Sequence, residues 1–124
     1  MTKGKILAID DEPDFTNMIT EYFQARGYEI FVASRGVKGI DLIREKKPDI
    51  VLIDLKMPGI DGDQIVIQLK SIYPKAKPII ITAFIDEGKT KKRLESVGVY
   101  AYFEKPLTSL RDLEATIEKA LQEK

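Results

Sequence analysis

ILAIDDEPD, residues Ile6 to Asp14, joins an unbroken apolar run to four carboxylates, Asp10, Asp11, Glu12 and Asp14. Such a run reads as a short strand buried on both faces, as in a parallel sheet. The acids that follow are a standing cost, because two like charges ~4 Å apart repel by about 1 kcal/mol in water and about 4 kcal/mol at the effective dielectric of a protein surface. A compensating cation is expected where this strand ends.

Four further apolar, β-branched runs recur downstream: EIFVA (29–33), IVLI (50–53), PIIIT (78–82) and AYF (101–103). Their starts lie about 20 to 29 residues apart, which leaves room for the dozen or more residues that a parallel crossover needs. Helical patterning fills the gaps. Phe15, Met18, Ile19, Tyr22 and Phe23 share one predicted face, with Gly27 as the stop. Val37, Ile40 and Ile43 form a thinner stripe closed by Pro48, and Ile65, Val66, Leu69, Ile72 and Tyr73 a strong one ended by Pro74. The last helix starts at Ser109, in a pattern resembling a capping box, and turns Leu110, Leu113, Ile117 and Leu121 inward. Between Asp86 and Gly98 only Leu94 and Val97 are clearly apolar, so the fourth helix is predicted to be the least firmly docked. The order βαβαβαβαβα predicts an open, doubly wound α/β sheet, with residues 1–124 forming one domain.

Composition removes several kinds of chemistry. Lys+Arg and Asp+Glu are balanced at 20 each, which argues against coating nucleic acid or an anionic membrane through an overall field. With no cysteine and no histidine, the chain has no disulfide framework, thiol nucleophile or zinc site of the usual kind. Metal chemistry is left to oxygen ligands, which suit Mg²⁺, Mn²⁺ or Ca²⁺. No apolar stretch approaches the ~20 residues that span a bilayer, and the chain reads as soluble and cytoplasmic.

In open parallel sheets, ligands bind beyond the carboxyl ends of the strands. Here those ends carry Asp10 and Asp11, then Asp54, Thr82 and Lys105. Three acids against one lysine leave a negative surplus that a hard divalent cation reverses. A phosphoryl group could then approach Asp54, whose carboxylate can act as a nucleophile toward phosphorus. Thr82 offers a hydroxyl and Lys105 a charge-assisted bond to the phosphoryl oxygens.

Four motifs, IDDEPD, LIDLKMPGIDG, IIITA and AYFEKPL, stand in an order and at spacings that resemble the response-regulator receiver domains of two-component signalling, over essentially the whole chain. The resemblance implies a (βα)5 flavodoxin-like fold with strand order 2-1-3-4-5. It implies that Asp54 accepts a phosphoryl group from a histidine kinase or phosphotransfer protein, and that Asp10, Asp11, Asp54 and the backbone carbonyl of Lys56 hold Mg²⁺, with Mn²⁺ as a substitute. Thr82 and Lys105 would bind the phosphoryl group, Tyr102 would be the switch aromatic, and the Lys105–Pro106 bond would be cis. It further implies a phosphoacceptor rather than an enzyme, a downstream protein target read by the fourth helix, fifth strand and fifth helix, no direct nucleic acid or membrane partner, and a monomer or phosphorylation-dependent dimer. Lys56 and Phe84 flank the acceptor at variable positions, where a lysine and a bulky ring would hinder water and prolong the phosphoryl form.

Each residue also has a plainer reading. Asp10 and Asp11 ahead of Pro13 suit a helix start, although one acid would serve. Asp54 precedes a turn-forming Met57-Pro58-Gly59. Thr82 is an ordinary strand residue, Lys105 an ordinary surface charge, Tyr102 an ordinary core aromatic, and the basic run Lys89–Arg93 a solvated helix face. Two other functions compete: an unphosphorylated pseudo-receiver that only binds protein, and an aspartate-nucleophile phosphatase. The phosphatase would want an acid where Lys56 stands, and no G-x-x-x-x-G-K-[ST] or G-x-G-x-x-G occurs to bind a nucleotide.

Overall fold

The computed structural model describes residues 2–84 and 86–123. Its elements alternate as β1 (Lys5–Ile9), α1 (Pro13–Ala25), β2 (Glu29–Ala33), α2 (Gly36–Lys46), β3 (Ile50–Ile53), α3 (Gly62–Ile72), β4 (Lys77–Thr82), α4 (Lys89–Ser96), β5 (Ala101–Glu104) and α5 (Leu110–Gln122). The strands form one parallel sheet in the order β2-β1-β3-β4-β5. This is the doubly wound order predicted from the sequence, and each strand lies within one residue of its apolar run.

Alternation along the central strands sorts the core into two layers, since successive side chains point to opposite faces. Ile6, Ala8, Ile50, Leu52, Ile79 and Ile81 meet Ile19 and Phe23 of α1 and Leu113 and Ile117 of α5. Leu7, Ile9, Val51, Ile53 and Ile80 face the other way, against Ile40 and Ile43 of α2, Ile65, Val66 and Leu69 of α3, and Leu94 of α4. Ser109 starts α5 as expected, its hydroxyl accepting from the Asp112 amide at 3.1 Å.

Two apolar residues assigned inward by periodicity face solvent instead, Met18 at 38% and Val37 at 62% exposure, and Val97, one of the two apolar residues noted for the fourth helix, is 47% exposed. For Val37 the reason is close packing: α2 approaches the sheet through glycine, and a Cβ at Gly39 would stand 2.5 Å from Cδ1 of Ile9. With no side chain in the way, α2 rolls onto Gly36, Gly39, Ile40, Leu42 and Ile43, and Val37 falls outside the contact. α4 buries only Thr90 and Leu94, while Val99, just past the helix, is buried and Val97 is not. The expected weak docking of α4 is therefore reflected in its contacts.

Candidate functional site

The sheet's hydrogen-bond ladder runs one residue past the strand ends and carries the site with it. The Asp10 amide donates to Ala33 O at 3.0 Å, the Asp54 amide to Ile9 O at 3.1 Å and the Lys105 amide to Thr82 O at 2.9 Å. Residues separated by dozens of positions in sequence are thereby fixed at one rim. The turn after β3 is equally constrained: a Cβ on Gly62 would lie 2.7 Å from the Asp54 carbonyl oxygen and 2.8 Å from Cα of Leu55. Only glycine allows the first turn of α3 to lie so close to the Asp54 backbone.

Asp54 is 6% exposed and fully engaged. Its Oδ1 accepts from the Thr82 hydroxyl at 2.8 Å and from the Lys56 amide at 3.2 Å, and its Oδ2 pairs with Lys105 Nζ at 3.4 Å. Lys105 Nζ also bonds Asp10 Oδ2 at 2.8 Å and the Glu12 carboxylate, and stands 4.5 Å from the centre of the Phe15 ring. Burial alone would lower the lysine's pKa. The bonds to Asp10 and Glu12 and the charges of Asp10 and Asp54 outweigh it and hold the ammonium well above the ordinary lysine range. For Asp10 the balance falls the other way, since burial raises its pKa more than Lys105 and the Glu12 amide lower it. The Lys105–Pro106 peptide is cis, as the resemblance implied.

A cavity of about 460 Å³ opens over this cluster, lined by Asp11, Glu12, Asp54, Lys56, Thr82, Phe84 and Lys105 among others. Lys56 Nζ lies 4.3 Å from the centre of the Phe84 ring, so these two side chains form a cation–π pair at the cavity wall. Tyr102 does not line the cavity. It is joined to it by a relay in which its hydroxyl donates to Phe84 O at 3.3 Å and the Phe84 amide donates to the Thr82 hydroxyl at 3.2 Å.

Among the described residues, the carboxylates that lie within 4.8 Å of one another are those of Asp10, Glu12 and Asp54. Asp11, expected as a second metal acid, is exposed and lines the cavity without joining that cluster. Glu12 was not singled out from sequence as a site residue. Its one signal was membership of the acid run, and its position follows from the turn in which Asp10 Oδ1 accepts the Glu12 amide at 3.0 Å. The donor set is oxygen alone, with more carboxylates than lysines, and that fits a hard divalent cation.

Comparison with known proteins agrees with this geometry. The response regulator receiver domain family matches residues 6–118. The chain is 33% identical over 114 residues to the sporulation initiation phosphotransferase F of Bacillus subtilis, covering 90% of this chain and 91% of that protein. It is 33% identical over 118 residues to the protein PilH of Pseudomonas aeruginosa, covering 92% and 98%. A response regulator receiver domain protein from Clostridium thermocellum superposes with a TM-score of 0.85 at 31% identity, over 95% of this chain and 94% of that one. A CheY-like receiver domain from Methanospirillum hungatei gives 0.88 at 26% identity, over 96% and 94%. No helix among the described residues is long and apolar enough to cross a membrane. An acid-lined rim that gathers Asp54, Thr82 and Lys105 on a 2-1-3-4-5 sheet, together with these matches, places the chain in the response regulator receiver domain family.

Proposed function

We propose that this chain is a phosphorylation-controlled switch whose acceptor is Asp54, loaded from the phosphohistidine of a histidine kinase or phosphotransfer protein. The observation that carries the reading is the environment of the Asp54 carboxylate, held at the mouth of a cavity by Thr82 at 2.8 Å and Lys105 at 3.4 Å. A carboxylate oxygen attacks phosphorus, the phosphorus–nitrogen bond breaks, and its electron pair returns to the imidazole. Thr82 and Lys105 each donate to a phosphoryl oxygen as charge develops there. Asp10, Asp11, Asp54 and the Lys56 carbonyl would hold Mg²⁺, or Mn²⁺ in its place, which supplies positive charge against the acids and the incoming phosphoryl group. Glu12 remains the partner of Lys105. The chain accepts and slowly loses the group rather than turning over a substrate.

A phosphoryl group adds about −1.5 to −2 charges. It competes with the Asp54 carboxylate for the Thr82 hydroxyl, and a displaced Thr82 gives up the Phe84 amide. Through Phe84 the change reaches Tyr102 and biases a pre-existing equilibrium of the loosely held α4. The exposed face of α4, β5 and α5 is then what a downstream protein reads. Intact mass after incubation with a small phosphodonor and Mg²⁺ tests the proposal. One added phosphoryl group on the parent and none on Asp54→Asn is the expected result. No addition to the parent, or equal addition to the variant, overturns it.

A further inference from the structure

The first half of α4 carries Lys89, Lys91, Lys92 and Arg93, all exposed, on a chain whose formal net charge is +0. At 100° per residue, the buried pair Thr90 and Leu94 faces the sheet, Lys92 lies at the centre of the opposite side with Lys89 and Glu95 to either side of it, and Lys91 sits at the edge beyond Glu95. Arg93 sits at the edge and is already paired with Asp63 of α3 at 2.6 Å. Among the described residues the three lysines make no ion pair.

Their position is unfavourable within the isolated domain. Cations near a helix N-terminus oppose the macrodipole, and the first turn of α4 contains no acid. Asp86, just ahead of the helix, offsets part of this. Its carboxylate accepts from the Thr90 amide at 3.1 Å and the Thr90 hydroxyl at 2.5 Å, bonds that are spent on holding the helix start. A surface that breaks a local rule with only partial compensation from within the domain marks a functional place.

We infer that the lysine face of α4 docks a carboxylate-rich segment of the downstream protein, with Lys92 at the centre of the contact, Lys89 beside it and Lys91 at its edge. The inference rests on the reading of α4 as part of the output face and names the chemistry that face selects. Charge pattern favours a short acidic peptide over nucleic acid. Asp86 and Glu87 precede the four cations and Glu95 stands beside Lys92, so the basic surface is short and interrupted, which suits a compact carboxylate cluster seated on Lys89 and Lys92 better than a continuous phosphate chain. Complementarity of this kind acts mainly on encounter and selectivity.

The test is an NMR titration of the ¹⁵N-labelled chain at low ionic strength, with an oligoglutamate peptide in one arm and a single-stranded oligonucleotide of equal charge in the other. Oligoglutamate is expected to shift the amides of residues 89 to 93 and to bind the Lys89→Gln/Lys91→Gln/Lys92→Gln variant about tenfold more weakly, as expected for three exposed charges of typical worth. Salt at 0.15 M, with a Debye length of about 8 Å, is expected to narrow the difference. Equal binding by the variant, shifts that map away from α4, or tighter binding of the oligonucleotide at the same amides overturns the inference. Phosphoryl uptake by intact mass separates the two readings. Lost lysine dependence with intact uptake removes the docking chemistry alone, and lysine-dependent binding without uptake removes only the phosphoswitch.

Discussion

Replacing Thr82 with valine removes one hydroxyl from a side chain that is 0% exposed, at nearly constant volume, so no cavity term enters. Two hydrogen bonds are lost. One is the 2.8 Å donation to Asp54, a bond to a charged group worth about 1.5–3 kcal/mol. The other is the acceptance of the Phe84 amide at 3.2 Å, a neutral bond on a half-buried residue worth about 0.5–1 kcal/mol. Burying a methyl in place of the hydroxyl returns about 0.8 kcal/mol. The expected net loss is about 2 kcal/mol, which lowers the urea midpoint by about 1 M for a typical m-value. The decisive form is a double-mutant cycle in which Thr82→Val is repeated in an Asp54→Ala background. With the charged acceptor gone, only the Phe84 bond remains to be lost, and a coupling of about 1–2 kcal/mol is expected. A Thr82→Val variant within about 0.5 kcal/mol of the parent, or the same loss in both backgrounds, would refute the claim that Thr82 is committed to Asp54 rather than being an ordinary strand residue.

The metal assignment is expected to show in thermal melts. Mg²⁺ at about a hundred times its dissociation constant adds about 2.7 kcal/mol and a rise on the order of 10 °C; Asp11→Asn and Asp54→Asn should abolish the rise, Glu12→Gln should retain it, and the opposite ranking of Asp11 and Glu12 would move the metal onto the carboxylates that already lie together. The bonds from Thr90 hold the Asp86 carboxyl below the usual range. Because the folded pKa is depressed, this stabilisation is present above about pH 4 and lost as pH falls through the folded value. Amide exchange at Thr90 should accelerate in acid relative to the domain's core, an Asp86→Asn variant should lack the acid-dependent change, and equal behaviour of the two would count against the cap. Phe84→Ala removes the ring that Lys56 covers, and is expected to speed loss of the phosphoryl group several-fold in a mass time course; an unchanged rate would show that the pair does not screen Asp54 from water.

The three central strands were legible because strands buried on both faces need unbroken apolar runs, and few other structures do. The acids were legible because crowded charge is costly and therefore meaningful. One thing periodicity missed has a clear cause, contact made where a side chain is absent. Gly39 lets Ile9 approach α2 and displaces Val37 to the surface, and Gly62 lets α3 close over the Asp54 backbone. Neither glycine contributes to an apolar stripe, so a pattern built from side chains misplaces Val37 and gives no sign of the close approach at Gly62. The acids show the same limit in another form. Asp10, Asp11 and Glu12 are equivalent as letters, and their partners are set by a backbone turn, the Glu12 amide bonding Asp10 and bringing Glu12 onto Lys105. Lys105 thereby occupies three carboxylates at once in the resting domain. On the proposed switch, a phosphoryl group arriving at Asp54 would have to draw that lysine from the acids that hold it, so the negative surplus that would favour a divalent cation would also set the energetic cost of moving Lys105 toward the phosphate.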